Sequence, residues 1–309
     1  MHRVMVTGAA GFIGANFVHH WLAHHPQDRV LALDALTYAG NRANLQSLEG
    51  QANFRFEQAD IRDQKQVEAL LRALDIDTIV HFAAESHVDR SISGPEPFIA
   101  TNVVGTLRLL EAARSVWLQG CRRRHRFHHV STDEVYGDLG RDDPAFRETT
   151  AYAPNSPYSA SKAASDHLVR AYHHSFGLDA TASQCSNNYG PYQFPEKLVA
   201  LMITHALDGQ RLPIYGDGSN VRDWLYVDDH CRGIEAILER GRPGQTYNIG
   251  GNEEHDNLTL VRRLCAGIDE CFAADPARAR QFPAAPPARG ARGSARLAVV
   301  PARPRPARR

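Results

Sequence analysis

A short apolar run, Phe127 to Thr132, ends in a hydroxyl, and two carboxylates, Asp133 and Glu134, follow at once. Adjacent carboxylates can divide acid and base work only if their surroundings push the two pKa values apart. By themselves they read equally as a solvated turn. A second reactive pair lies in SPYSASK, where Tyr158 and Lys162 fall four residues apart and so share one face of a helix. An ammonium near a phenol favours the phenolate, bringing its pKa down from about 10. A phenolate beside a nicotinamide can take the proton of a sugar hydroxyl while hydride leaves the same carbon. The Y-x-x-x-K spacing is common in unrelated chains, so its weight depends on its surroundings. Here Thr132 supplies a hydroxyl at a strand end, and a nucleotide-binding signature lies upstream.

That signature is TGAAGFIG, which sets Gly8, Gly11 and Gly14 three residues apart. Gly8 permits a tight turn off the strand. Gly11 lets the backbone approach a pyrophosphate, and Gly14 lets the new helix pack on the sheet. Phosphates would rest on the helix N-terminus, whose free N–H groups and dipole favour anions. The run VLALD then ends in Asp34, 20 residues beyond Gly14. Its carboxylate can accept from both ribose hydroxyls of NAD and would repel a 2′-phosphate, so NAD is the expected cofactor. Asp60 and Ile61, after the third strand, suit the adenine.

The elements that must position these groups alternate along the chain. Residues 3–8, 30–34, 53–60, 78–84 and 127–132 read as strands. They are mostly apolar rather than alternating, as strands covered on both faces are. Helical periods lie near 12–25, 64–74, 97–118 and 157–176. This predicts an α/β fold, a doubly wound parallel sheet of the Rossmann type. From about residue 180, loops rich in Gly, Pro and Asn separate helical periods near 195–208, 227–240 and 258–272, which predicts a smaller second lobe.

The 309 residues are 43% hydrophobic and 23% charged, a globular composition with room for one large or two smaller domains. No apolar run is long enough to cross a bilayer, and MHRVMVTG enters a strand at once, so no membrane and no signal peptide are expected. Cys121, Cys185, Cys231, Cys265 and Cys271 are scattered without a C-x-x-C pair, which argues for a reducing cytoplasm over a disulfide framework or zinc site. His19, His20, His24 and His25 read as an exposed helix end, and His128 and His129 as packed strand residues. None has metal-ligand spacing with a carboxylate, and no metal is expected. Acids and bases balance at 35 each, but nine arginines and no acid lie in 276–309, leaving 1–275 with nine excess acids. An acidic body argues against nucleic acid as the main partner. The tail itself holds seven of the 17 prolines and too little apolar surface to offset its ordering entropy.

Together these motifs resemble the nucleotide-sugar 4,6-dehydratases of the extended short-chain dehydrogenase/reductase superfamily, and more narrowly those acting on dTDP-glucose. TGAAGFIG, DALTYAGN, HFAAESHVDRSI, TNVVGT, HHVSTDEVYGD, SPYSASKAASDHLVRAY, CSNNYGPYQFPEKL, LPIYGDGSNVRDWLYVDDH and YNIGG carry the likeness, from residue 5 to about 260. The resemblance implies that Tyr158 deprotonates the 4-hydroxyl of glucose while NAD takes hydride from C4. Glu134 then acts as base at C5, Asp133 as acid on the leaving 6-hydroxyl, and hydride returns to C6. It further implies that Phe12 and Ile13 line the pyrophosphate turn, and that Asp34, Ala35, Leu36 and Thr37 hold the ribose. Phe82, Ala83, Ala84, Glu85 and Ser86 would run beside the nicotinamide ribose, Ser86 also near the sugar, with Thr101 and Asn188 touching the cofactor. Thr132 would contact the sugar. Asn187, Lys197, Leu198, Pro213, Ile214, Tyr215, Arg222 and Asn257 would hold the nucleoside diphosphate, Arg222 pairing with phosphate. A homodimer through helices 97–118 and 157–176 is implied by resemblance alone. The expected division is a NAD-binding domain over 1–180, a nucleotide-sugar lobe over 181–275 and an atypical tail over 276–309.

The tail departs from the family, whose Pro-Gly-His-Asp-Arg-Arg segment completes the nucleotide pocket and has no counterpart after Pro276. Written in GC-rich codons and read from the third base, that segment gives Arg-Pro-Arg-Pro-Ala and then a codon beginning with C. Arg303 to Arg308 reads Arg-Pro-Arg-Pro-Ala-Arg, so the tail is expected to be disordered or translated out of frame. The departure keeps an inactive NAD-binding scaffold as an alternative. An epimerase or decarboxylase of the same superfamily is another, although those usually lack an Asp-Glu pair after the threonine.

Overall fold

A computed structural model of the chain describes residues 1–119, 124–140, 143–285 and 297–300. The contacts divide it into two compact units, Met1–Tyr192 with Leu225–Gly250, and Gln193–Trp224 with the chain from Gly251 onward.

In the first unit, β1 (Arg3–Thr7) leads through Gly11 into α1 (Phe12–His24), and β2 (Arg29–Asp34) and β3 (Phe54–Gln58) follow. Next come α2 (Gln64–Ala73), β4 (Thr78–His81) and α3 (Val88–Ser93). A helical run over 96–118 contains α4 (Glu96–Phe98) and α5 (Thr106–Ala113), joined and extended by the π-helical stretches Ile99–Gly105 and Arg114–Leu118. Then β5 (Arg126–Thr132), α6 (Pro157–Phe176), β6 (Ala180–Cys185) and β7 (Asn187–Tyr189) complete the continuous part. The chain passes into the second unit through α7 (Leu198–Leu207), β8 (Leu212–Tyr215) and most of β9 (Val221–Tyr226). It returns for α8 (Val227–Arg240) and β10 (Thr246–Ile249).

The seven-stranded sheet runs β10-β6-β5-β4-β1-β2-β3, every pair parallel. Side chains alternate across a strand, and the two faces build separate cores. Met5, Leu31, Leu33, Ile79 and Phe127 pack with α2, α5 and α6, whereas Val4, Val6, Val30, Ala32 and Val80 pack with α1 and α8. Strand order reverses between β1 and β4, which opens a crevice at the carboxyl ends of the strands. There lie the turn after β1, the 82–86 loop after β4 and the Asp133–Glu134 turn after β5.

The expected cut at residue 180 is corrected by this topology. Strand β6 (ATASQC) is fully buried although small and polar, so it offers no apolar run to read, and β10 pairs with it. Helix α8, expected in the second lobe, buries Val227, Cys231 and Ile234 in the core on the α1 side.

The second unit centres on Met202, Ala206, Leu212, Ile214 and Val261, from α7, β8 and α9 (Asn257–Ala274), with β11 (Glu254–Asp256) antiparallel to β9. The expectation of an unstructured tail is corrected where the tail is described. Asp275 accepts from the backbone N–H groups of Ala277 and Arg278, with Pro276 opening the helix α10 (Pro276–Gln281). Farther on, β12 (Leu297–Val300) runs parallel to β8. Residues 286–296 and 301–309, which include Arg303 to Arg308, lie outside the described residues, as does Cys121. No helix among the described residues is long and apolar enough to cross a membrane.

The histidines at the end of α1 are not simply exposed. His20 is buried, its Nε2 2.8 Å from Glu235 Oε2, and His25 Nε2 lies 2.6 Å from Glu235 Oε1. The carboxylate partner that the local spacing lacked thus arrives from α8. Ligand atoms of His25, Glu235 and Glu239 come within 4.8 Å of one another. Both Glu235 oxygens are engaged by His20 and His25.

His81, His128, His129 and His230 are fully enclosed, as anticipated for His128 and His129. Burial pushes His128 and His230 down to about 3 and His129 down to about 4, and holds His81 well below its usual range. The folded state therefore resists protonation that the unfolded chain accepts below 6.5. Stability falls as pH drops from 6.5 toward 4, each histidine contributing up to about 1.4 kcal/mol per pH unit. Denaturant midpoints measured between neutrality and pH 5 are expected to decline steadily. A flat profile would show that these rings are charged or hydrated in the native state.

Candidate active site

The turn after β1 is shaped by close approach. Gly8 has φ +68°, and a Cβ there would meet the Ala83 backbone nitrogen at 2.6 Å. A Cβ on Gly14 would collide with the Gly8 carbonyl oxygen. Gly11 precedes α1, whose first turn carries no acid and whose N-terminus has no side-chain cap. Its N–H groups are thus left for an anion, and the residues present fit a dinucleotide phosphate. Phe12 and Ile13 are half-buried beside this turn. Asp34 accepts from the N–H of Ala10 at 2.9 Å and of Leu36 at 2.7 Å, which ties the glycine turn to the loop after β2. Burial raises its pKa, while those backbone bonds pull the other way. Each carboxylate oxygen keeps a lone pair that a ribose hydroxyl can use. Ala35 and Leu36 are half-buried and Thr37 exposed beside it. Asp60 is clamped by Arg62, with contacts of 2.6 to 3.0 Å, and that guanidinium holds its pKa down. Ile61 is a core residue whose side chain packs against Gly105.

The loop from Phe82 to Ser86 is half-buried and is fixed by a residue the motifs did not single out. Asn102 accepts from Glu85 N at 2.8 Å and donates to Glu85 O at 3.0 Å and to Ser161 Oγ at 2.8 Å. It thereby joins the loop to α6. Its neighbour Thr101 is half-buried in the same π-helical stretch. The π-helical stretch 99–105 carries Asn102, whose amide reaches the loop.

Helix α6 starts with Ser156, whose hydroxyl accepts from Ser159 N while Ser159 returns a bond to Ser156 N, a capping box with Pro157 at the first helical position. The cap fixes the register of the next turns, which present Tyr158 and Lys162, both buried, toward the end of β5. There Thr132 accepts from Glu134 N at 3.3 Å and starts a tight helical turn, Asp133–Tyr136. Asp133 and Glu134 are half-buried in that turn. Lys162 Nζ donates to Val130 O at 2.8 Å. The phenol behaves differently from the expectation that Lys162 brings it toward neutrality. Burial raises the Tyr158 pKa well above the usual range, and the charges of Glu134 and Asp133 add to it. Its bond to Thr132 pulls it the other way. The two carboxylates therefore bear on the same phenol.

Asn188 Nδ2 donates to Ser186 O at 3.0 Å and its Oδ1 meets His230 Nδ1 at 2.9 Å, with Asn187 half-buried next to it. The second unit carries the remaining substrate candidates. Lys197 and Leu198 open α7, Pro213 and Tyr215 flank the core residue Ile214 on β8, and Asn257 opens α9. Tyr215 and Arg222 are exposed. The Ile214 side chain belongs to the core, which leaves only its backbone for a ligand.

The sequence pattern of the family described as GDP-mannose 4,6 dehydratase matches residues 5–288. A dTDP-glucose 4,6-dehydratase of Xanthomonas campestris pv. campestris is 59% identical over 269 residues, covering 86% of this chain and 76% of that protein. Another, dTDP-glucose 4,6-dehydratase 1 of Escherichia coli K12, is 51% identical over 279 residues, 87% of this chain and 77% of its own length. The crystal structure of the Streptomyces venezuelae dTDP-glucose 4,6-dehydratase with NAD and TYD bound superposes with a TM-score of 0.84 at 46% identity, covering 97% of this chain and 85% of that one. The likeness runs along most of the chain, which belongs to the dTDP-glucose 4,6-dehydratase family.

Proposed function

We propose that the chain is an NAD-dependent hydro-lyase that converts dTDP-glucose to dTDP-4-keto-6-deoxyglucose and water with no net redox change. The observation that carries this reading is the Asp133–Glu134 pair, half-buried beyond Thr132 and bearing electrostatically on Tyr158. On this reading the two acids serve the C5–C6 bond of a sugar held at the phenol.

NAD, held by Gly8 to Gly14, Asp34 and the 82–86 loop, supplies the hydride acceptor for C4 and the donor for C6 when bound. Tyr158 Oη takes the proton of the 4-hydroxyl. The 4-keto group that results makes the C5 proton acidic. Glu134 removes that proton, and Asp133 protonates the 6-hydroxyl as it leaves as water. Glu134 then returns a proton to C5 as C6 is reduced. Ser86 and Thr132 hold the hexose. Lys197, Leu198, Pro213 to Tyr215, Arg222 and Asn257 of the second unit bind the nucleoside diphosphate, Arg222 through a phosphate. The buried phenol is protonated in the polypeptide alone, so its work as a base depends on positive charge beside it.

The protein is further read as a cytoplasmic homodimer. Free thiols at Cys185, Cys231, Cys265 and Cys271 support a reducing compartment. Exposed Ile92, Ile99, Val104 and Phe176 on the helices over 88–118 and on α6 support an apolar face that a second copy would cover. Ile99→Asp is expected to shift the sedimenting species from dimer to monomer. Sedimentation as a monomer before any substitution would remove the proposal.

Purified protein given dTDP-glucose is expected to form a 4-keto product with strong alkaline absorbance, where an epimerase would form the galactose epimer. Glu134→Gln should slow elimination by about 10²- to 10⁴-fold while the absorbance of reduced nicotinamide still builds up. Dehydration at the original rate would show that Glu134 is not the base.

A further inference from the structure

We propose that Asp166 is a positioning residue of the proton-transfer site: it is the buried counter-anion of Lys162 and braces the end of β5 that carries Thr132. The inference rests on the dehydratase reading above and adds a residue to it.

Tyr158, Lys162 and Asp166 occupy successive turns of one face of α6. Asp28, Asp34 and Asp166 are the buried carboxylates among the described residues, and the first two serve the N-terminal backbone and the glycine turn. The Oδ2 of Asp166 accepts from Ser131 Oγ at 2.9 Å, Tyr152 Oη at 3.0 Å and Gln184 Nε2 at 3.3 Å. Its Oδ1 lies 3.2 Å from His129 Nε2 without hydrogen-bond alignment. Donors from β5, from the 137–156 segment and from β6 thus converge on one oxygen, a site built for an anion. Ser131 immediately precedes Thr132, so this carboxylate also sets how β5 ends.

Lys162 needs that anion. It is 4% exposed. A buried ammonium without a partner is costly, and its neighbours offer no other negative charge from within the fold. From β4 and β5, His81 and His129 face it uncharged, held down by burial and by the lysine itself. From β6, the Cys185 thiol is pushed up to about 12 by burial and remains protonated. From the helical run over 96–118 come the Asn102 amide, bonded to Ser161, and Glu111, which is spent on Arg114 and Tyr172. Asp133 and Glu134, from the turn after β5, act on Tyr158. Burial lowers the Lys162 pKa, and the charge of Asp166 is the main influence holding it up. A charged lysine one helical turn from the phenol would favour its ionised form during the reaction.

The test follows bound NAD reduction by dTDP-glucose in single turnovers across pH, for the unmodified enzyme, Asp166→Asn and Asp166→Glu. With the anion gone, Lys162 sheds its proton more easily, so the alkaline limb of Asp166→Asn moves to lower pH by about one unit or more. Asp166→Glu, which keeps the charge, should return the limb toward its original position. A limb unmoved in Asp166→Asn overturns the proposal. If Asp166→Asn is too unstable to assay, Lys162→Met/Asp166→Asn decides by thermal unfolding: removing both charges should restore the stability lost by removing one. A double variant no more stable than the single overturns it. Failure of the unmodified enzyme to reduce NAD would instead refute the dehydratase reading, while the unfolding comparison would still judge the charge pair.

Discussion

Lys162 sits under the end of β5 with its ammonium on the Val130 carbonyl, and the cost of keeping that charge from water governs what can surround it. Two histidines at hand stay neutral and a thiol stays protonated, while one carboxylate is assembled from donors on β5, β6 and the 137–156 segment. The result is a polar layer inside an otherwise apolar sheet. The hydrogen bonds that Asp166 Oδ2 collects from Ser131, Tyr152 and Gln184 hold the local backbone there. Thr132, Asp133 and Glu134 emerge from that layer, so their placement is inherited from packing several residues deeper.

The glycine turn reaches the same crevice by another route. Its fit depends on missing Cβ atoms at Gly8 and Gly14 and on Asp34 holding Ala10 and Leu36. A parallel sheet delivers both ends to one edge because every strand points the same way and the order reverses between β1 and β4. Asn102 then fastens the β4 loop to α6, linking the cofactor side to the proton-transfer side through one amide.

Strands made of continuous apolar residues were legible, as were helices with a clear period, because burial on both faces leaves a strong compositional mark. β6 was not, since Ala, Thr, Ser and Gln are buried there through hydrogen bonds and close packing rather than apolarity. The return of α8 and β10 to the first unit is a matter of tertiary pairing that no local pattern announces. At the site, glycines, tyrosine, lysine and paired acids stood out by spacing. Asn102 and Asp166 did not, although Asp166 repeats the four-residue step from Tyr158 to Lys162. The pairing of His20 and His25 with Glu235 joins residues more than 200 positions apart and has no local trace.

A dehydratase of this kind has one coenzyme remove hydride from C4 and give the same hydride back to C6 within a single turnover, beside acids that expel the 6-oxygen. Substrate carrying deuterium at C4, followed by NMR of the purified product, tests this most directly. The label is expected in the C6 methyl group of a 4-keto sugar. Label returned to C4, or lost to solvent, would contradict it.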